Sequence, residues 1–539
     1  MEPTVKSFLE SGQSGMMLGD PTLWRWRKSN VQDPSQPMER QRPTDRLSLR
    51  TKTWFGVGTV GESATNWLFN ALTFLYYQQI LGLSGSLAGT AVAIAIFFDA
   101  ISDPLIGSIS DRFRSRWGRR HPFMIAAPIP LVLSIFLIFN PPASVVTSQM
   151  MLFVWFTVFT ICMRTFVTFF AIPHLAMGAE LSSDYIERTN VMSFNNLFGY
   201  YGALMMHCFV WFFVFGYLFQ TEGAALGGAQ LYRPAYVPVV AFCCLIILLT
   251  IFGCAWFTRD RIPFMSQPPS DQEGFSFKGL MSDIWMAIQN RNYLFLLIGL
   301  FFLSMTIGTH ETLGIYMGTF FWALSPYQIG FLAIANIIGY HLGFFLASKS
   351  HERFDKRATI VASAAGLSFF WSLAVTLALF GLAPETSSWT LVVFIIFWSI
   401  FSSLFGAVVN ISVMSALADI ADEHEANTGR RQEGIFYSAR TFFAKTSNAI
   451  GHVIAGFAIE YYVLLPPGSI QGQVPDDVLF RLGIVDGPFA MVWGLIAAFF
   501  YAGYRINKTD HERIQTQLKA RSMDAANMES QSVQSWRFK

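Results

Sequence analysis

Between residues 53 and 505 long apolar runs alternate with short polar breaks. Runs of roughly 18 or more apolar residues recur, enough for a helix to cross a hydrocarbon core of about 30 Å. The pattern predicts twelve helices. Six fall near 55–80, 87–110, 122–140, 149–173, 191–217 and 236–257, and six near 293–317, 327–348, 357–381, 388–418, 435–465 and 487–505. The polar stretch TRDRIPFMSQPPSDQEGF separates the sixth from the seventh. The expected organisation is a tail over 1–52, a six-helix bundle over 53–258, a linker over 259–290, a second bundle over 291–506 and a tail over 507–539. The first tail, rich in Pro, Ser, Gln and Arg and without an apolar core, is expected to be disordered and not a cleaved signal peptide.

Composition agrees with the pattern. Hydrophobic residues make up 53% of the chain and charged residues 13%, against about 25% charged in soluble domains. Mean hydropathy is +0.41, which excludes a soluble globular protein. Phosphate-loop, GxSxG and HExxH patterns are absent, so no enzyme class is indicated and no cofactor is expected. Nor is a nucleic-acid partner. The five cysteines fall within apolar runs at spacings that suit neither metal ligands nor a disulfide framework.

Net charge is only +2, but its distribution is informative. The break after the second run, SDRFRSRWGRRHP, carries five arginines, and SSDYIERTN, SKSHERFDKR and EHEANTGRRQE lie on the same side. Loops on the other side contribute only Arg233 and Arg481. Basic loops stay in the cytoplasm, so both termini are predicted there, in a plasma (inner) membrane protein. The basic segment GSISDRFRSRWGRR after run two is echoed by ASKSHERFDKR after run eight. That echo predicts a duplicated six-helix unit, hence an all-α membrane protein of the major facilitator fold with a site between its halves.

Acids inside apolar runs are the candidate chemistry. In FFDAISDPLIG, Asp99 and Asp103 are four residues apart and share a helix face. Each carboxylate costs on the order of 2.5–3.5 kcal/mol at the bilayer centre. A bound cation, a proton or a nearby lysine relieves that cost. The pair is therefore the expected cation site, and the Na⁺ ligand set if the ion is sodium. Lys445, roughly 15 Å into run eleven, is expected to balance it from the second half. Glu62, Asn66 and Asn70 form a polar stripe on run one, and Thr160, Arg164 and Thr168 another on run four. Run five opens with Asn195 and Asn196, and run seven contains His310 and Glu311. Glu62, Asn66, Arg164, Thr168, Asn195 and Asn196 are the expected wall of a solute cavity; for the uncharged ones, hydrogen bonding between helices is the other use. Asp111 and Arg112, facing Asp422 and Arg430, are expected to form a cytoplasmic salt-bridge gate.

Three segments together resemble the glycoside-pentoside-hexuronide:cation symporters, whose reference member is melibiose permease: DAISDPLIGSISDRFRSRWGRR, AIPHLAMGAELSSDYIERTN and ADIADEHEANTGRRQEGIFYSARTFFAKTSNAIG. The resemblance covers about residues 53–505. It implies that Asp99 and Asp103 bind the coupling cation, Na⁺, Li⁺ or H⁺, that Lys445 takes part in coupling, and that the halves rock around a central site. The galactoside clamp is not matched. Ala171 and Ser63 stand where that family's melibiose-type member has sugar-binding aspartates, with Glu62 beside the second. Asn195 or Asn196 stands for an arginine, and Ile96-Phe97 for another. The resulting expectation is a monomeric cation-coupled symporter of a sugar, glycoside or uronide-like solute. A related branch implies lysophospholipid transport as the alternative, and a non-transporting membrane sensor is the third reading.

Overall fold

The structure is a computed structural model; it describes residues 47–182, 184–265, 276–429 and 433–537. Among the described residues every regular element is helical. Ten helices are long and apolar enough to cross a membrane: α2 (Gly85–Arg112), α3 (His121–Phe139), α4 (Gln149–Glu180), α5 (Ile186–Leu218), α6 (Arg233–Phe257), α8 (Arg291–Phe321), α9 (Pro326–Arg353), α10 (Lys356–Leu379), α11 (Trp389–Thr428) and α13 (Asp476–Tyr501). The other two runs expected to cross are also helices. They are α1 (Leu49–Leu68), which carries Lys52, Glu62 and Asn66, and α12 (Glu433–Phe457), which carries Arg440, Lys445 and Asn448. Their polar content keeps them outside the apolar set. The expected linker contains the short helix α7 (Phe277–Ile288), and the C-terminal tail is a helix, α14 (Lys508–Arg537). Residues 1–46, most of the expected first tail, lie outside the described residues.

Local chemistry sets the helix starts. Ser48, Ser84, Ser148, Asn290, Ser325 and Ser388 each accept a hydrogen bond from the amide three residues on, which satisfies a donor the helix leaves free. Two expected boundaries move. α11 runs ten residues past 418, and α13 starts at Asp476, so Asp486 lies inside a helix.

The two bundles share a device that the basic-loop echo did not reveal. The first helix of each ends in π-helical turns, Phe69–Thr73 and Tyr76–Ile80 after α1 and Met317–Phe321 in α8. Each then turns through one left-handed residue, Gly82 (φ 78°) or Ala323 (φ 49°). A capping serine follows two residues later, Ser84 or Ser325. The fifth helices, α5 and α12, also finish in π-helix, Phe209–Leu218 and Ala458–Val463. A side chain at a left-handed residue costs on the order of 1 kcal/mol. No atom lies within 4 Å of where a Gly82 side chain would start, so Gly82→Ala should lower stability by about that amount through backbone strain alone. Ala323→Gly should raise it by less, because glycine loses more freedom on folding. Thermal melts of the two variants in detergent should move in opposite directions.

The halves meet along α2 and α12. A Cβ on Gly85 would lie 2.6 Å from the Gly456 carbonyl, and one on Gly89 2.6 Å from the His452 carbonyl. These glycines let the two backbones touch. At the end away from the arginine-rich loops, hydrogen bonds tie the halves together. Tyr316 Oη donates to Gln78 Oε1 at 2.9 Å, and Gln78 Nε2 to the Leu465 carbonyl at 3.4 Å. Gln79 Nε2 donates to the Pro466 carbonyl at 3.1 Å, while Gln79 accepts from the amides of Gly468 (2.9 Å) and Ser469 (3.0 Å). The Ser86 amide donates to Glu460 Oε2 at 2.8 Å.

Candidate functional site

α2 turns its apolar side outward, with Phe97 and Phe98 46% and 44% exposed, while Asp99 is buried. Asp103 lies one turn on along the same face, just before Pro104, a residue that lacks the amide proton for the next helical bond. Lys445 of α12 reaches both acids across the boundary between halves. Its Nζ is 2.7 Å from Asp99 Oδ2 and 2.5 Å from Asp103 Oδ2.

Two residues expected in the solute wall join this cluster instead. Thr168 Oγ1 of α4 is 2.9 Å from Oδ1 of both Asp99 and Asp103. One hydroxyl donates only one proton, so the second contact is a hydrogen bond when that carboxyl is protonated and donates to Oγ1. Arg164, one turn earlier, places Nη1 3.9 Å from Asp99 Oδ2 and stacks 4.5 Å over the Phe69 ring. Glu62 of α1 is half-buried within electrostatic reach of Asp103, Lys445 and Asp99. Glu311 of α8 is also within electrostatic reach of Arg164, so carboxylates outnumber the two fixed cations, and a monovalent cation or a proton can offset the excess negative charge. Among the described residues no three His, Cys, Asp or Glu side chains are grouped to hold a metal. An oxygen pair bridged by an ammonium suits an exchangeable ion better than a caged one.

Other expected positions are dispersed. Asn195 accepts a 2.5 Å hydrogen bond from Thr59 Oγ1, joining α5 to α1. Asn66 is half-buried, and Asn196 is exposed one turn before Tyr200. The expected gate falls partly outside the described residues. Asp111 pairs with Arg120 (2.5 Å) and Arg119 (3.9 Å) of its own half, and these arginines hold Glu180 at 2.9 and 2.6 Å. Asp422 accepts from Gln515 of α14 at 2.7 Å. Arg112 is exposed at the end of α2, and Arg430 lies outside the described residues.

A cavity of about 740 Å³ runs along the second half, lined mainly by α8–α13 with Tyr200 from α5. None of the six expected wall residues lines it. Its polar groups come from separate helices. His310 Nδ1 is 2.8 Å from Asp486 Oδ1, and its ring lies 3.9 Å from that of Trp371. Glu311 accepts from Asn448 Nδ2 at 3.1 Å. Asn336 accepts from Ser403 Oγ at 2.7 Å, and Asn410, Tyr340, Arg440 and Tyr501 are among the other polar lining groups. Asp486 is held in by the π-helical turn Val485–Phe489 of α13. Hydrogen-bonding groups set beside an indole face suit a polyol ring with one flat apolar side.

The sequence profile of the MFS/sugar transport proteins matches residues 54–508. An uncharacterized symporter of Synechocystis sp. is 25% identical over 561 aligned residues, covering 90% of this chain and 99% of that protein. A putative glycoside/cation symporter of Escherichia coli, YagG, is 23% identical over 450, covering 81% and 88%. Among solved structures, a bacterial homologue of the human drug peptide transporters aligns with a TM-score of 0.58 at 13% identity, over 87% of this chain and 99% of that one, a likeness of fold.

Proposed function

We propose, because the chain belongs to the MFS/sugar transport protein family, that it is a secondary active symporter, coupling Na⁺ or H⁺ entry to uptake of a sugar, glycoside or uronide-like solute. The observation that carries the reading is the ion cluster shared by the two halves, Lys445 of α12 bonded to Asp99 and Asp103 of α2. An incoming cation competes with the Lys445 ammonium for the same oxygens. Its binding weakens a bond between the halves and balances the remaining negative charge, so the loaded carrier reorients at lower cost. Symporters are named among the relatives, one of them a glycoside/cation symporter.

The solute sits between the halves. On one side are Trp371, His310, Asp486, Glu311 and Asn336, and Glu62, Asn66, Asn195 and Asn196 are proposed for the facing wall. A lysophospholipid site has no need of hydrogen-bonding groups set beside an indole face, and this set favours the sugar reading. Taken with the loop charges, the closed end faces outward and the arginine-rich end faces the cytoplasm, in a monomer resident in the plasma (inner) membrane.

The test is uptake by proteoliposomes of radiolabelled glycosides under an imposed Na⁺ or proton gradient. Accumulation that collapses with the matching ionophore supports symport. Uptake that never exceeds equilibrium under either gradient overturns it.

A further inference from the structure

Arg440 of α12 lines the cavity, but unlike the other cations of the bundle interior it pairs with no carboxylate among the described residues. Lys445 holds two aspartates, Arg164 approaches Asp99, and Lys356 holds Asp419 at 2.6 Å. The electrostatic neighbours of Arg440 are instead the phenols of Tyr501, Tyr293 and Tyr437. Its Nε is shielded from solvent and has no partner. The Tyr501 hydroxyl, on a fully buried ring that also lines the cavity, has none either. Tyr293 differs: its hydroxyl already donates to the Phe436 carbonyl at 2.7 Å. Gly299 makes room for the Tyr501 ring, since a Cβ there would lie 2.5 Å from Cδ1.

A half-buried guanidinium without a carboxylate partner and a buried hydroxyl without an acceptor lack the same thing, an anionic oxygen. The acids of the cavity do not supply it. Glu311 is bonded to Asn448, and Asp486 to His310. Contacts of Gly308 with Asn448, and of Gly451 with Met305, fix the register of α8 against α12. That register places Arg440 near Leu300, roughly 15 Å along the helix from His310.

We propose that Arg440 and the Tyr501 hydroxyl form an anion subsite, which takes a carboxylate of the transported solute and makes the carrier prefer acidic sugars or glycosides to neutral ones. This rests on the symport reading above and narrows its solute. The guanidinium fork matches a carboxylate with two parallel N–H donors, and the phenol adds a third. The cation is balanced at Asp99 and Asp103 and the anion at Arg440, so neither charge crosses unpaired.

The experiment compares β-glucuronosyl glucose with cellobiose, a glucuronide and a glucoside that differ at one carboxylate and are long enough to reach from Trp371 toward Arg440, in proteoliposomes under the cation gradient. The wild type should take up the glucuronide with a kcat/KM at least about tenfold higher. Arg440→Gln should erase that preference by raising KM for the glucuronide far more than for the glucoside. Arg440→Lys should recover part of it, and Tyr501→Phe should weaken it about threefold. In detergent, glucuronate alone should raise the melting temperature of the wild type and not of Arg440→Gln; this reads the subsite even where uptake shows no coupling and the symport reading has failed. Equal losses for both solutes, a preference for the glucoside, or stabilisation by lysophosphatidylcholine in place of glucuronate would each overturn the subsite.

Discussion

Replacing Asp103 by cysteine should abolish accumulation of the solute against its gradient while leaving exchange of solute across the membrane largely intact. Asp103 shares Lys445 and the Thr168 hydroxyl with Asp99. Removing it takes one carboxylate from the set that faces Lys445 and Arg164. The cluster then has one negative charge less and one carboxylate ligand fewer for an incoming cation. Breaking one partner out of a buried charged group typically costs 3–5 kcal/mol, so cation affinity should fall by a factor of at least about 100. Lys445 keeps Asp99, so the variant is expected to fold. Gradient-driven uptake and counterflow, measured side by side, separate the two properties. Concentrative uptake by Asp103→Cys would refute the coupling role of the pair.

The second large effect is expected at Gly456. In the α2–α12 crossing its Cα hydrogens face the Gly85 carbonyl, with no room for a side chain. Gly456→Leu forces the two backbones apart. Overpacking of this kind costs about 1–3 kcal/mol, and more where backbone itself must move. The cost falls on the conformation in which the outer ends are joined, so that state should lose at least about tenfold in population. A cysteine placed at Asn336, in a background without the five native cysteines, should then react faster with an impermeant maleimide added from the α2–α12 closed side. Uptake should fall in parallel. Unchanged labelling with lost uptake would point to misfolding instead, which a melting curve would expose.

Much of the architecture was legible because the bilayer makes the signal simple. An apolar run of sufficient length has few alternatives, and Asp99, Asp103 and Lys445 were conspicuous because charge there is costly. What the chain does not spell out is helix register, which no local pattern encodes. Thr168 and Arg164 were read as solute contacts, yet α4 packs against α2 at a level that puts both beside Asp99. Asp486 was overlooked because an acid at the edge of an apolar run looks like a loop residue, whereas a π-helical turn carries it inside α13. The second-half cavity draws single residues from several helices and so leaves no motif. The internal duplication was visible in the basic loops, but its sharper mark, the left-handed turn before a capping serine, is a matter of dihedral angle. It is written as glycine in one half and alanine in the other.

The outer rim of hydrogen bonds between the halves has a consequence for pace. At about 0.5–1.5 kcal/mol each, they must be broken together whenever the carrier returns empty, which makes their sum a candidate for the slowest interval of the cycle. Many of the partners are main-chain atoms, among them those of 86, 465, 466, 468 and 469, which substitution cannot remove. Side chains come from Gln78, Gln79, Tyr316 and Glu460, with His207 on the Gly330 carbonyl and Gln230 on Thr319. None of these side chains touches the Asp99–Asp103–Lys445 cluster or lines the second-half cavity. Speed and selectivity are therefore written in separate parts of the chain. Selection for faster turnover has several adjustable positions to work on without disturbing what is carried.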